Sequence, residues 1–134
     1  MRKTSSKTAA KALPAPAAED KTITSEGPED IRDAIAAIET FTAAMDFEAF
    51  QSDSRTVAAV ERKLSVISEA AIRLGYDAEV VCPGLPWRDI RGLGNWLRHL
   101  YDRVDLETIW KTVERDLPPL RDSVDKALEG HGNA

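Results

Sequence analysis

The side chains best suited to chemistry in this sequence lie between residues 88 and 103. Four of them recur at spacings of three and four residues: Arg91, Asn95, Arg98 and His99. On a helix these spacings place them near one face. A guanidinium fork matches two oxygens of a phosphate, and an imidazole titrates near neutral pH. The cluster therefore predicts a site that binds a phosphate and moves a proton.

The same stretch is a basic island in an acidic protein. The whole chain has a formal net charge of −5. Residues 1–27 contain five basic and three acidic residues, so residues 28–134 hold 13 basic and 20 acidic ones, a net charge of −7. A protein that coats nucleic acid needs a broad basic face. The charge pattern argues against that class and favours a focused site for one or two phosphates.

A second interpretation of these residues requires no site. His99 is then a surface or core residue beside solvated arginines, and the arginines pair with acids on other helices. The single cysteine, Cys82, lies in a Pro/Gly-rich loop and is interpreted as an inert thiol. One thiol excludes an internal disulfide and a cysteine-based zinc site, and neither a metal nor a cofactor is predicted.

The sequence also predicts where the protein resides. No stretch approaches the roughly 18 uncharged apolar residues that a membrane helix needs. The N-terminus has basic residues but no apolar segment before a cleavage site, as a secretory signal would have. We therefore expect a reduced, cytoplasmic protein.

Composition divides the chain into a tail and a body. Residues 1–27 are rich in Ala, Lys, Thr, Ser and Pro and cannot bury enough apolar surface to offset the cost of ordering. We predict a disordered tail over 1–27, a helical domain over 28–130 and a flexible C-terminus over 131–134.

Apolar spacing predicts four helices in that domain. The first begins at Pro28, the second follows a break at 51–54 and ends at Gly75, and the third runs from about Trp87 to Tyr101. The fourth begins with Asp105 as its expected N-cap and is interrupted at Pro118 and Pro119, where a kink or a fresh start leads into a short fifth segment that ends at Gly130. Short connections favour an all-α, antiparallel up-and-down four-helix bundle.

Four stretches of this bundle resemble one family of small helical proteins. They are DIRDAIAAIETF (30–41), AVERKLSVISEAAIRL (59–74), LPWRDIRGLGNWLRHLYDR (85–103) and VDLETIWKTVERDL (104–117). In their order and helix layout they are similar to the HepT-like family of the HEPN superfamily, the toxin components of bacterial toxin–antitoxin modules. The tail lies outside the resemblance.

The resemblance implies a function. Family members are described as metal-independent ribonucleases that act as homodimers and take RNA, for which tRNA is one candidate. Their partner is an MNT-type nucleotidyltransferase antitoxin, which in some pairs transfers AMP to the motif tyrosine. The motif is Arg, four residues, His, one residue, Tyr. By position the histidine is His99 and the tyrosine, the implied AMPylation site, is Tyr101.

The motif departs from the family at its first position, where the arginine is replaced by Gly94. Arg91 or Arg98 could supply the missing charge, and Asn95 could orient the substrate or the imidazole. Two hypotheses follow. The chain is a toxin ribonuclease with His99 as general acid and base, or it is a catalytically weak binding module that serves as partner or target of the nucleotidyltransferase. A homodimer built around Arg91, Trp96 and His99 would bring two sites together.

Overall fold

The computed structural model describes residues 19–99 and 103–133, and the side-chain packing within them over 27–99 and 105–130. The helices of these ranges are α1 Glu19–Thr42, α2 Phe47–Ser52, α3 Ser54–Leu74, α4 Tyr76–Val81, α5 Trp87–Leu97, α6 Arg103–Lys111 and α7 Leu117–Asn133, with a π-helical segment, Thr112–Asp116, between α6 and α7. No strand occurs in the described ranges. The predicted all-α class is confirmed.

The helices α1, α3 and α5 pack side by side in alternating directions. Asp30 near the start of the packed part of α1 forms an ion pair of 2.8 Å with Arg73 at the end of α3. The first half of α5 lies against that same end of α3, where the Arg91 guanidinium donates to the Gly75 carbonyl at 2.7 Å. This alternation is the antiparallel order that the short connections predict.

One apolar core runs between these helices and the C-terminal ones. Most of its large, fully buried side chains lie at the apolar positions of helical spacing in the sequence, among them Ile31, Ile35, Ile38, Leu64, Ile67 and Ile109. A short helix also contributes, because Phe50 of α2 packs on Trp110 of α6 with ring centroids 5.0 Å apart. Within the described residues, none of the helices is long and apolar enough to cross a membrane.

The first helix begins earlier than the sequence predicts. It starts at Glu19 and contains Pro28 inside it, whereas composition places 1–27 in a tail. Gly27, directly before Pro28, lies against α3 so closely that a Cβ there would be 2.8 Å from the Leu74 side chain. That tertiary contact is invisible in composition. The rest of the predicted tail, residues 1–18, lies outside the described residues.

The second predicted helix is α3, and both of its ends are confirmed. Asp53 is the N-cap, and its carboxylate accepts hydrogen bonds from the backbone N–H and the hydroxyl of Thr56 at 3.1 and 2.9 Å. Gly75 ends the helix with φ +56°, a left-handed conformation that glycine adopts at little cost. Its N–H donates back to the carbonyls of Ala71 and Ile72.

Two short helices occupy segments where the sequence predicts none. Helix α2 follows the N-cap Asp46, whose side chain accepts from the Ala49 N–H at 2.8 Å. Helix α4 lies within the predicted loop 76–86, and its Ala78 is buried against the core. Segments of six residues carry too little periodicity to predict, so tertiary packing decides their conformation.

The third predicted helix is shorter than expected. Helix α5 ends at Leu97 rather than near Tyr101. Arg98 and His99 form a tightened turn, in which their N–H groups donate to the carbonyls of Asn95 and Trp96 at 3.2 and 3.0 Å. Such bonds across three residues are a common way to end a helix.

The C-terminal helices differ from expectation at their ends. Helix α6 begins at Arg103, so Asp105 lies in its first turn and is not the N-cap. The two prolines fall in the first turn of α7, where a missing N–H costs little; the turn before them widens into the π-helical segment. Helix α7 continues to Asn133, past the expected end at Gly130.

Candidate functional site

The end of α5 and the turn after it carry the candidate site residues. Asn95, Arg98 and His99 are all exposed, while Arg91, one turn earlier, is half-buried. Among the described residues, neither Arg98 nor His99 has an ion pair. Tyr101 lies outside the described residues. The structure therefore brings three of the five predicted residues to one solvent-facing turn.

Arg91 has a different environment. Its guanidinium binds both oxygens of Glu79, at 2.7 and 3.1 Å. It also donates to the carbonyls of Gly75 at 2.7 Å and Ala71 at 3.4 Å. The four contacts join α5 to the end of α3 and to α4. We call this group, formed by Arg91, Glu79 and the two carbonyls, the arginine clamp.

The contacts of the clamp also shift the pKa values of its two side chains. The hydrogen bond to Arg91 lowers the pKa of Glu79 below its ordinary value, and the bond to Glu79 raises the pKa of Arg91. Each partner stabilises the charged form of the other. Because the Arg91 donors face protein acceptors, Arg98 is the better placed cation for a ligand in solvent.

Gly94 stands where the family motif has its arginine, and it faces the protein interior. Its N–H donates to the hydroxyl of Ser68 in α3 at 3.1 Å. A Cβ at this position would lie 3.2 Å from that hydroxyl oxygen. Position 94 is therefore a close contact between α3 and α5, and it presents no side chain to solvent.

Cys82 agrees with its interpretation as an unreactive thiol. It is 5% exposed, and burial raises the pKa of its thiol, which disfavours the nucleophilic thiolate. Its carbonyl accepts a hydrogen bond of 2.8 Å from the Trp87 indole. The residue belongs to the core beneath the start of α5 rather than to a site.

A cavity of about 410 Å³ opens between the start of α5, the π-helical segment and α7. Apolar side chains such as Ile67, Leu93 and Leu120 line most of it, with Asp89 and Asp116 among the lining residues. None of the candidate site residues that the structure describes lines it. Over the ranges that the structure describes, no group of three or more His, Cys, Asp or Glu side chains could hold a metal ion.

Comparison with known proteins assigns the family. The family model described as Ribonuclease HepT-like matches residues 31–127, most of the chain, and the protein therefore belongs to this family. The predicted resemblance is confirmed. The matched region begins within α1 and ends within α7.

Two relatives illustrate the similarity. "Probable ribonuclease HepT" of Thermococcus cleftensis is 40% identical over 98 residues, which cover 73% of this chain and 89% of the relative. A Methanocaldococcus jannaschii protein named as an RNase is 31% identical over 96 residues, which cover 72% of this chain and 88% of the relative. No solved structure matches the chain.

Proposed function

We propose that this protein is a metal-independent endoribonuclease of the HepT type and the toxin of a toxin–antitoxin module. Family membership supports ribonuclease chemistry, since the relatives above carry that name. The observation that supports it within this chain is the exposed Arg98–His99 turn, which joins a cation and a titratable imidazole at one surface.

The chemistry assigns a role to each residue. RNA cleavage without a metal uses the ribose 2′-OH as nucleophile, so a base removes its proton and an acid protonates the leaving 5′-oxygen. His99 performs the proton transfers, because an imidazole has a pKa near working pH. Arg98 stabilises the charge that develops on the phosphate. Asn95 orients the substrate or the imidazole, and Tyr101 accepts AMP from the antitoxin.

The replacement of the motif arginine by Gly94 predicts a low rate of RNA cleavage. Removing one preorganised charge stabiliser typically costs about 10²–10³ in rate. Arg98 is adjacent to His99 and offsets part of that loss. We expect slow cleavage that depends on both side chains.

The test is cleavage of a labelled RNA, with total tRNA as a second substrate, in the presence of EDTA. His99→Ala is expected to abolish cleavage, and His131→Ala, which changes the other histidine of the chain, is expected to retain it. Full activity of His99→Ala would refute the proposal. Loss of cleavage on EDTA addition would refute its metal independence.

A second candidate function rests on Gly94. Since the motif is incomplete and a side chain at position 94 would crowd Ser68, the chain could act as the nucleotidyltransferase's partner without cleaving RNA. That function predicts a stable complex with the antitoxin and addition of AMP to Tyr101, measured by mass spectrometry after coexpression. Growth arrest that His99→Ala relieves would contradict it.

We also propose a homodimer in which two copies of the turn face each other. Two imidazoles would then be available, one as base and one as acid. Trp96 is half-buried beside the exposed turn, and Trp and Arg are enriched at interface centres. Sedimentation at micromolar concentration is expected to give the mass of two chains. A monomer would contradict this arrangement.

A further inference from the structure

Ser68 is the one polar side chain that is buried in the described part of the core, with 1% of its surface exposed. Its hydroxyl donates to the Arg91 carbonyl at 2.8 Å and accepts from the Gly94 N–H at 3.1 Å. Burying a hydroxyl is costly unless it is hydrogen-bonded. Both bonds go to the backbone of α5, so this serine joins α3 to α5 at one turn.

The contact is specific to one of the two glycines in the middle of α5. A Cβ at Gly94 would lie 3.2 Å from the Ser68 oxygen and 3.6 Å from its Cβ, whereas a Cβ at Gly92 would meet nothing within 4 Å. The first distance is tighter than ordinary van der Waals contact and the second is ordinary. The oxygen of Ser68 alone therefore crowds a side chain at position 94.

Two anchors thus hold the same turn of α5. The arginine clamp fixes the Arg91 side chain to the end of α3, and Ser68 fixes the Arg91 carbonyl and the Gly94 N–H to its middle. Asn95 follows directly, and the Arg98–His99 turn comes one turn later. The position of α5 against α3 at Gly94 therefore sets where these exposed side chains lie.

We propose that Ser68 is a positioning residue for the Asn95–His99 segment, and that Ser68 and Gly94 act as a pair in which the serine hydroxyl disfavours a side chain at position 94. Neither residue touches substrate. The link to catalysis rests on the proposed ribonuclease function, whereas the pairing itself does not.

The pairing is tested by thermal unfolding of a double-mutant cycle. Gly92→Ala is expected to raise Tm by about 3–6 °C, since alanine stabilises a helix interior relative to glycine. Gly94→Ala is expected to give no gain or a loss, because its Cβ meets the Ser68 oxygen. In the Ser68→Ala background Gly94→Ala is expected to regain the increase seen at Gly92. Equal effects of Gly94→Ala in both backgrounds would overturn the pairing.

Positioning is tested by the NMR signals of the His99 imidazole, with His131 as an internal reference. Ser68→Ala is expected to shift the His99 signals and to leave those of His131 unchanged. Ser65→Ala, on the same helix and half-buried, is the matched control and is expected to shift neither. A Ser68→Ala variant that loses Tm but leaves His99 unchanged would reduce Ser68 to a structural residue and overturn the proposal.

Kinetics separate this proposal from the function on which it rests. For a cleaving wild type, Ser68→Ala is expected to lower kcat about tenfold with little change in KM, because the substrate contacts remain but are misaligned. An unchanged kcat would contradict positioning. If the wild type does not cleave RNA, the proposed function fails, while the Tm cycle and the His99 signals still decide the role of Ser68.

Discussion

Arg91 and Arg98 show how the same residue type serves two purposes in one segment. Arg91 is 27% exposed and bound to Glu79 and to backbone carbonyls, so its charge is used to hold α5 in place. Arg98 is exposed on the turn beside His99. Sequence spacing gives both the same face, and only the surroundings distinguish a structural cation from one that is available to a phosphate.

This difference predicts a separation of stability from activity. Arg91→Gln is expected to lower Tm by several degrees, because Glu79 and the Gly75 carbonyl lose their donor. Arg98→Gln is expected to leave Tm nearly unchanged and to lower RNA cleavage about 10²-fold. Calorimetry and the cleavage assay on the same preparations measure both. Equal losses of Tm in the two variants would contradict the assignment.

The clamp also predicts a pH dependence of stability. Arg91 lowers the pKa of Glu79 from its ordinary value of 4.5, so the folded state favours the carboxylate more than the unfolded state does. The stabilisation that the ion pair contributes is therefore present in full above that ordinary pKa. It is lost as the pH falls through the lower pKa that Glu79 has in the folded state. It is absent in Glu79→Gln.

The measurement is Tm as a function of pH for the wild type and Glu79→Gln. The difference between them is expected to be constant above about pH 5 and to shrink as the pH falls below about 4. Asp53, whose pKa is also lowered, titrates in both proteins and cancels. A difference that does not change with pH would show that the ion pair contributes nothing.

At the scale of elements, the sequence predicts a helix correctly where the residues that specify it are close together in the chain. Helix α3 has apolar residues at helical spacing, the cap Asp53 before it and Gly75 after it, and all three lie within or beside the helix itself. Helix α4 depends instead on tertiary packing, since its Ala78 is buried against the core, and Gly27 of α1 contacts the distant Leu74. Such contacts have no signature in a single sequence.

The candidate site divides in the same way. The cluster of Asn95, Arg98 and His99 follows from spacing, and the structure places it on one exposed turn. The arginine clamp could not be predicted, because Glu79 lies in a segment interpreted as a loop. The role of Ser68 could not be predicted either. Its only indication in the sequence is a serine among the apolar positions of α3, opposite a glycine of another helix.

The cap of α3 gives a prediction at this scale. Asp53→Ala removes the acceptor for the Thr56 N–H and hydroxyl, and an N-cap loss of this kind is expected to lower Tm by about 3–6 °C. Asp53→Asn, which keeps an acceptor, is the matched control and is expected to recover most of the loss. An Asp53→Asn variant as unstable as Asp53→Ala would show that charge, rather than capping, is responsible.

At the scale of the whole molecule, Phe50 connects a short helix to the core. It is fully buried and packs on Trp110 of α6, and together with the partly buried Phe47 it holds α2 against the core. Phe50→Ala is expected to lower the free energy of unfolding by about 3–5 kcal/mol, measured by urea denaturation. Phe41→Ala, at a site 37% exposed, is the control and is expected to cost much less. Similar losses in both would contradict this view of the core.

The single buried cysteine allows local opening of the core to be measured by thiol labelling. Cys82 lies beneath α5, its Sγ 3.7 Å from the Ser123 carbonyl of α7, and an alkylating reagent reaches it only when these helices separate. The rate of labelling therefore measures how often the core opens beneath the start of α5. Since the chain has no other thiol, this labelling rate reports on one location without engineered probes.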